Sequence, residues 1–411
     1  MKPLALLTAL LGAFSVSASA SSWMQYDQSN SPLPSNSVTA TLNDGAITWV
    51  GTFDGLAMFN GMDWTIYQSE TSILPDDHIH DIYKDTQGNT WVVSGTGLLK
   101  INVNGWEVID FSNSPTPTAQ LRCVTTDSQN NLWIGTWGYG VLRFDGNNWA
   151  AFDYTNSTLP SNGIFDIKAD ENDHIWVGTY NGGVSKYDGQ TWTTYDTDNS
   201  DLPHDNVRNI TFDSNGVIWF GTDDGLARKT AVNHWDVFTY QELGHSIHTI
   251  HAGLQAAAGH LYFATDGGLL EFDGSSYMVY SAQNSNLPNN NLRSISRDHH
   301  GNLWIGTGNN GVVVFSEQGS LSVADDDHTA EYFRPYPNPT EGSVILDLTE
   351  DLNNDFEVLI HNNVGQLIFR KAMTGYHSGI VELSLADLPN GMYTITVLSD
   401  DKFDTDRILK I

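Results

Sequence analysis

Residues 159–189 read LPSNGIFDIKADENDHIWVGTYNGGVSKYDG, and 287–312 return to the same pattern as LPNNNLRSISRDHHGNLWIGTGNNGV. Working outward, related tetrapeptides begin at Trp49, Trp91, Trp133, Trp176, Trp219, Tyr262 and Trp304, 42 or 43 residues apart. A second aromatic follows each of the first six, at Trp64, Trp106, Trp149, Trp192, Trp235 and Tyr277, and Trp23 stands alone before them. Each unit reads as four short strands. The first is an apolar run such as 164–167, the second holds WxGT, and the third is the type at 140–144. A turn such as Asp145-Gly146 then leads into the fourth. A four-stranded unit of ~40–45 residues is one propeller blade. From Trp23 to Ser316 is seven periods of 42, which predicts an all-β, seven-bladed β-propeller over 21–316. In the closing blade, 23–43 is expected to supply two strands and 304–316 the other two, leaving no open edge.

Charge narrows the function. Against 18 Lys+Arg stand 49 Asp+Glu, a net charge of -31. Such a chain repels phosphate backbones and anionic bilayers, so no nucleic-acid partner is expected. Cys123 is the single cysteine, which excludes an intrachain disulfide and a Cys-based zinc site. Lys2, the apolar run 4–16 and Ala18-Ser19-Ala20 form a signal peptide over 1–20, with Ala18 and Ala20 marking its cleavage. That run is too short to span a bilayer, and no later segment reads as a membrane span. Export as a monomer is expected. An acidic linker, 317–335, follows the repeats. Alternating strands at 343–348, 356–361, 366–371, 380–385, 392–398 and 407–411 then predict a small C-terminal β-sandwich over 336–411.

The combination of LP-x-N, the Asp-x-x-Gly turn before W-I-G-T, and the Gly-rich third strand resembles the two-component regulator propeller repeats. That resemblance implies an extracytoplasmic binding role. This chain differs from typical members in having no kinase or receiver sequence. Tyr336-Pro-Asn-Pro, Val364-Gly365-Gln366, 388–393 (LPNGMY) and the basic tail with Arg407 and Lys410 resemble the C-terminal sorting domain (type A) of type IX secretion substrates. It implies handling by that machinery in a Bacteroidetes-like bacterium, and a final place outside the outer membrane, on the cell surface or in the medium.

Most repeated residues read as structural. The WxGT tryptophans suit contacts between blades. Turns at Asp85, Asp127, Asp213 and Asp298 lack the full ligand set of a calcium loop. His245, His248 and His251 alternate faces on a strand, so no shared metal is expected, and the sequence implies no cofactor. Positions that differ between blades carry the functional signal. The second residue of the innermost strand reads Thr39, His80, Arg122, Phe165, Arg208, His248 and Arg293 around the ring. Either each Arg pairs with a nearby Asp, or the set forms a basic mouth to the central channel. The loop after WxGT adds Phe53, Trp137, Tyr139 and Tyr180, rings of the kind that stack on sugars. These residues point to a sensor-like, non-enzymatic binding module for a glycan or protein. The alternatives are a glycan-cleaving enzyme, for which Asp81 and Asp166 are the candidate carboxylate pair, and a structural or adhesion protein.

Overall fold

Seven antiparallel sheets of four strands each account for the repeats, and one three-stranded and one four-stranded sheet account for the C-terminal region. The computed structural model describes residues 22–316 apart from 46, 62, 103–104, 110, 112–119, 232–233, 244–246 and 257–258. Beyond them it describes 333–336, 342–348, 354–362, 367–376, 379–386, 388–389, 391–398 and 403–410. The signal segment 1–20, with Ala18 and Ala20, and nearly all of the linker lie outside the described residues.

Blades 1 to 6 occupy 38–67, 79–109, 120–152, 164–195, 207–239 and 250–280, each a four-strand meander in sequence order. Blade 7 joins Leu292–Arg297, Leu303–Thr307 and Val312–Ser316 to the N-terminal strand Ser22–Tyr26. The closure therefore takes three strands from one end and one from the other, not two and two. Val38–Asp44 is not free to join blade 7, because it pairs with Ile47–Thr52 and becomes the innermost strand of blade 1. The seam is long: Ser22 through Tyr26 pair in unbroken register with Ser316 through Val312.

Three of the four positions of WxGT have a physical reason in the contacts they make. Its aromatic packs into the next blade: Trp91 lies with Leu121 and Val124, Trp304 with Val38 and Val50, and Tyr262 with Leu292 and Leu303. In five blades the indole N–H donates to the Asp of the preceding turn, as in Trp133 to Asp127 at 2.9 Å and Trp304 to Asp298 at 3.0 Å. Blade 2 has Val93 and blade 6 Ala264 at the third position, but in the five blades with glycine there the next blade approaches closely. A Cβ on Gly135 would sit 2.5 Å from Ile164 of the next blade, and one on Gly51 would sit 2.5 Å from Ile79. The threonine hydroxyl donates to a carbonyl in the following turn, as Thr136 does to Gly140 at 2.8 Å. Blade repetition is thus a repetition of contacts.

The C-terminal region is a sandwich. One sheet orders Phe333–Tyr336, Ser343–Leu348 and Gly379–Ser384. The other orders Leu367–Tyr376, Asn354–Asn362, Gly391–Leu398 and Phe403–Lys410. Phe333, Val344, Phe356, Val358 and Ile395 share one core between the sheets. The strand beyond the six expected is Phe333–Tyr336, whose Pro335 is tolerated because the strand is an edge. The Tyr393 hydroxyl donates to Pro389 O at 2.6 Å, and Lys410 Nζ donates to the carbonyls of Ala386 and Leu388. Those bonds fasten the Leu-Pro loop to the last two strands.

Candidate functional site

The first strand of each blade contacts the first strands of its neighbours, so these seven strands surround the axis. Each carries a β-bulge near its start. The extra residues are Thr39, His80, Arg122, Phe165, Arg208, His251 and Arg293. Bulges re-aim a side chain while the ladder continues. Here they place one side chain per blade beside the loop that follows WxGT, at one mouth of the channel. The blade 6 member is a correction: His251 holds this position, and His248 lies in the loop before Ile250–Gln255. The exposed His248 ring stacks on Tyr240 at 4.7 Å, and its amide donates to Asp266. Ile247 explains the shift. It is buried like a strand residue, so Ile247-x-x-Ile250 imitates the start of the strand one turn of pattern early.

The bulge side chains and the post-WxGT loops form a collar. Arg293 lies over the Phe53 ring at 5.8 Å, and Phe53 meets His78 edge-on at 4.3 Å. His78 stands 4.3 Å from His80, whose Nδ1 is 3.4 Å from Arg122 Nη1. An arginine can only donate, so this His80 nitrogen is the acceptor and its proton sits on Nε2. Arg122 lies over Trp137 at 5.1 Å. Trp137, Phe165 and Tyr180 form a trio with centroids 5.5–6.0 Å apart, and Arg208 covers Phe165 at 4.4 Å. Gly163 makes room for the trio, since a Cβ there would meet Tyr180 at 3.1 Å and Trp137 at 3.4 Å. Tyr139 is exposed and joins none of these rings.

The arginines are not equivalent. Arg208 makes a two-pronged ion pair with Asp223, Nη2 to Oδ2 at 3.0 Å and Nε to Oδ1. Burial alone would raise the Asp223 carboxyl, but the bonds from Arg208 and Asn206 outweigh it and hold it below the usual range. Among the described residues no carboxylate lies within 4.0 Å of Arg122 or Arg293. The Nε of each is buried without a hydrogen-bond partner. Pairing with a neighbouring Asp therefore accounts for one collar arginine of three.

The residue after each bulge is Ala40, Asp81, Cys123, Asp166, Asn209, Ala252 and Ser294 in turn. Asp81 accepts the Val124 amide at 3.1 Å, and Asp166 accepts those of Ile210 and Ile167, both at 2.8 Å. Each carboxylate thus ties its blade to the following one. Lys168 Nζ lies 3.3 Å from Asp166. Burial opposes its charge, but Asp166, Asp81 and Cys123 outweigh burial and raise its pKa. Burial likewise raises Asp81, against the pull of Lys168. No group of three or more acidic, His or Cys side chains among the described residues is arranged to hold a metal.

Burial first, then Arg122, depresses the His80 imidazole to about 3. Burial, then Arg208 and Arg293, depresses His251 to about 4. Both are neutral at neutral pH. The unfolded chain protonates below 6.5 and the folded one does not, so stability is lost as pH falls from 6.5 toward these values. The melting temperature should therefore drop between pH 6.5 and 4.5 in calorimetry. His80→Gln with His251→Gln should flatten that slope. An unchanged slope would show that neither imidazole is held neutral.

Family models match here on two accounts. Residues 117–138, 158–181, 201–224 and 286–309 match the two component regulator propeller, and 334–410 match a secretion system C-terminal sorting domain. Among curated proteins none matches. The extracellular domain of a hybrid two component system from B. thetaiotaomicron is similar at 19% identity and a TM-score of 0.63, over 94% of this chain and 56% of that one. PorZ, a surface component of the type-IX secretion system of Porphyromonas gingivalis, is similar at 16% and 0.54, over 92% and 59%. Virginiamycin B lyase from Staphylococcus aureus is similar at 13% and 0.58, over 72% and 99%. At these identities the likeness is one of fold, and the chain spans little more than half the length of the first two. No helix among the described residues is long and apolar enough to cross a membrane. The sorting domain indicates handling by type IX machinery and secretion across the outer membrane to the surface or medium. The chain is a seven-bladed propeller carrying two component regulator propeller repeats at four matched stretches, joined to a secretion system C-terminal sorting domain.

Proposed function

We propose that this exported propeller binds an acidic glycan at the collar and performs no chemistry on it. The observation that carries the reading is the state of Arg122 and Arg293. In a chain of net charge -31, two mouth guanidiniums have no acidic partner among the described residues. Arg forks match carboxylates in geometry, and Trp137, Tyr180 and Phe53 beside them offer faces for sugar rings. Tyr139 extends that surface outward. Asp81 and Asp166 are occupied by backbone amides and Lys168, which favours binding over hydrolysis. The fold shared with the extracellular domain of a two component system agrees with such a role.

The test is a glycan array of acidic and neutral oligosaccharides probed with the mature protein, alongside a reducing-end assay. Acidic oligosaccharides should be retained and their reducing-end count unchanged. Trp137→Ala should weaken retention by ~1 kcal/mol, the usual worth of an aromatic contact beyond its buried area. Retention of no acidic glycan would move the protein to the adhesion class or to a protein ligand, and release of new reducing ends would make it an enzyme.

A further inference from the structure

The two unpaired arginines lie in blades 3 and 7, three blades apart in a ring of seven. They are therefore on nearly opposite sides of the channel mouth. Along the shorter arc three rings stand between them, Phe53, His78 and His80, each touching the next. Along the longer arc stands Arg208, whose charge Asp223 takes up. The mouth thus has two separate positive points, each backed by a ring: Arg122 on Trp137 and Arg293 on Phe53.

The residue after the WxGT threonine explains this asymmetry. In blade 5 it is Asp223, which neutralises the bulge arginine of its own blade. In blade 3 it is Trp137, which stacks on the arginine without neutralising it. In blade 7 it is Gly308, which has no side chain to offer Arg293; a Cβ there would crowd Asn291 at 2.9 Å and only touch Arg293 Nε, at 3.5 Å. The chain supplies an acid where it closes a site and withholds one at the other two.

From this geometry we infer that the ligand carries two acidic groups, spaced to reach Arg122 and Arg293 together across the mouth. The inference rests on the acidic-glycan reading and makes it specific: a glycan with one acid uses either arginine, and one with repeated acids uses both. Occupying both links the two contacts in one molecule, which raises affinity beyond that of either alone.

The experiment titrates the mature protein with hexagalacturonate, with the same hexamer methyl-esterified on all residues but one, and with the fully esterified hexamer. With the fully acidic probe, Arg122→Gln and Arg293→Gln should each weaken binding about tenfold, the typical scale of a lost charge-assisted contact. With the single-acid probe, either variant alone should weaken binding no more than about twofold, because the other arginine substitutes. The double variant should bind all three probes alike. Arg122→Lys and Arg293→Lys, which keep the charge, should retain the salt dependence of the fully acidic probe. If Arg293→Gln leaves the fully acidic probe unaffected, or if both probes respond equally to each variant, the two-point inference is overturned while acidic-glycan binding stands. If the wild type treats all three probes alike, both readings fail.

Discussion

Removing residues 22–27 is expected to yield a protein that aggregates and shows no cooperative melt. The segment forms the outer strand of blade 7 and carries two anchors. Trp23 packs on Phe315 at 4.3 Å and on Tyr280 at 5.9 Å. Tyr26 contacts Phe59, Trp64 and Trp304 at 5.4–5.9 Å. Deleting a fully buried aromatic costs ~3–5 kcal/mol, and each of these half-buried rings should cost somewhat less, on the order of 2–3 kcal/mol. Losing two such anchors and a five-residue ladder consumes most of a typical ~5–15 kcal/mol margin. It also bares Val312–Ser316, an apolar strand edge of the kind that pairs with other chains. The sandwich does not share this role, because its core is formed by its own residues. Deleting 334–410 should therefore leave a propeller with one sharp transition. Size-exclusion chromatography and calorimetry on both truncations give the comparison. A soluble, cooperatively melting protein without 22–27 would mean that the seam does not hold the ring closed.

The architecture was legible because the period encodes contacts rather than composition. Tryptophans such as Trp133 recur every 42 or 43 residues since each must reach both its own Asp turn and the next blade. The site was legible in part. Six of the seven bulge residues follow from aligning the first strands, and the seventh was also within reach. His251 precedes Tyr262 by eleven residues, the spacing of Arg122 to Trp133 and of Arg208 to Trp219. The apolar pair Ile247 and Ile250 concealed it. Asp223 and Gly308 occupy equivalent positions, yet only coordinates show that the first neutralises its arginine and that the arginine beside the second keeps no acid. His78 and Lys168 were not found at all. Neither residue type recurs at its position in the other blades, and each gains a neighbour from another blade that the sequence does not reveal, His78 beside Phe53 and Lys168 near Asp81. The split of the closing blade escaped for a similar reason: periodicity counts strands but does not say which end of the chain supplies each.

Asp127→Ala should be among the most damaging single changes in the propeller, although the residue sits in a turn. Its Oδ1 accepts the amides of Gln129 and Asn131 at 3.1 and 2.9 Å. Its Oδ2 accepts Asn131 Nδ2 at 2.7 Å and the Trp133 indole at 2.9 Å. Trp133 is buried against blade 4, so no water can replace the carboxylate there. Each buried donor left without an acceptor costs ~1–3 kcal/mol, and several are orphaned together, so the loss should be on the order of 4 kcal/mol. Asp127→Asn retains one oxygen and should lose roughly half as much on the same scale. Chemical denaturation of the two variants measures both. A chelator should change neither the wild-type midpoint nor the variants', because four protein donors already engage both oxygens of this carboxylate. If Asp127→Ala melts like the wild type while the chelator destabilises it, the turn is a cation site and the Asp–Trp bond is incidental to stability.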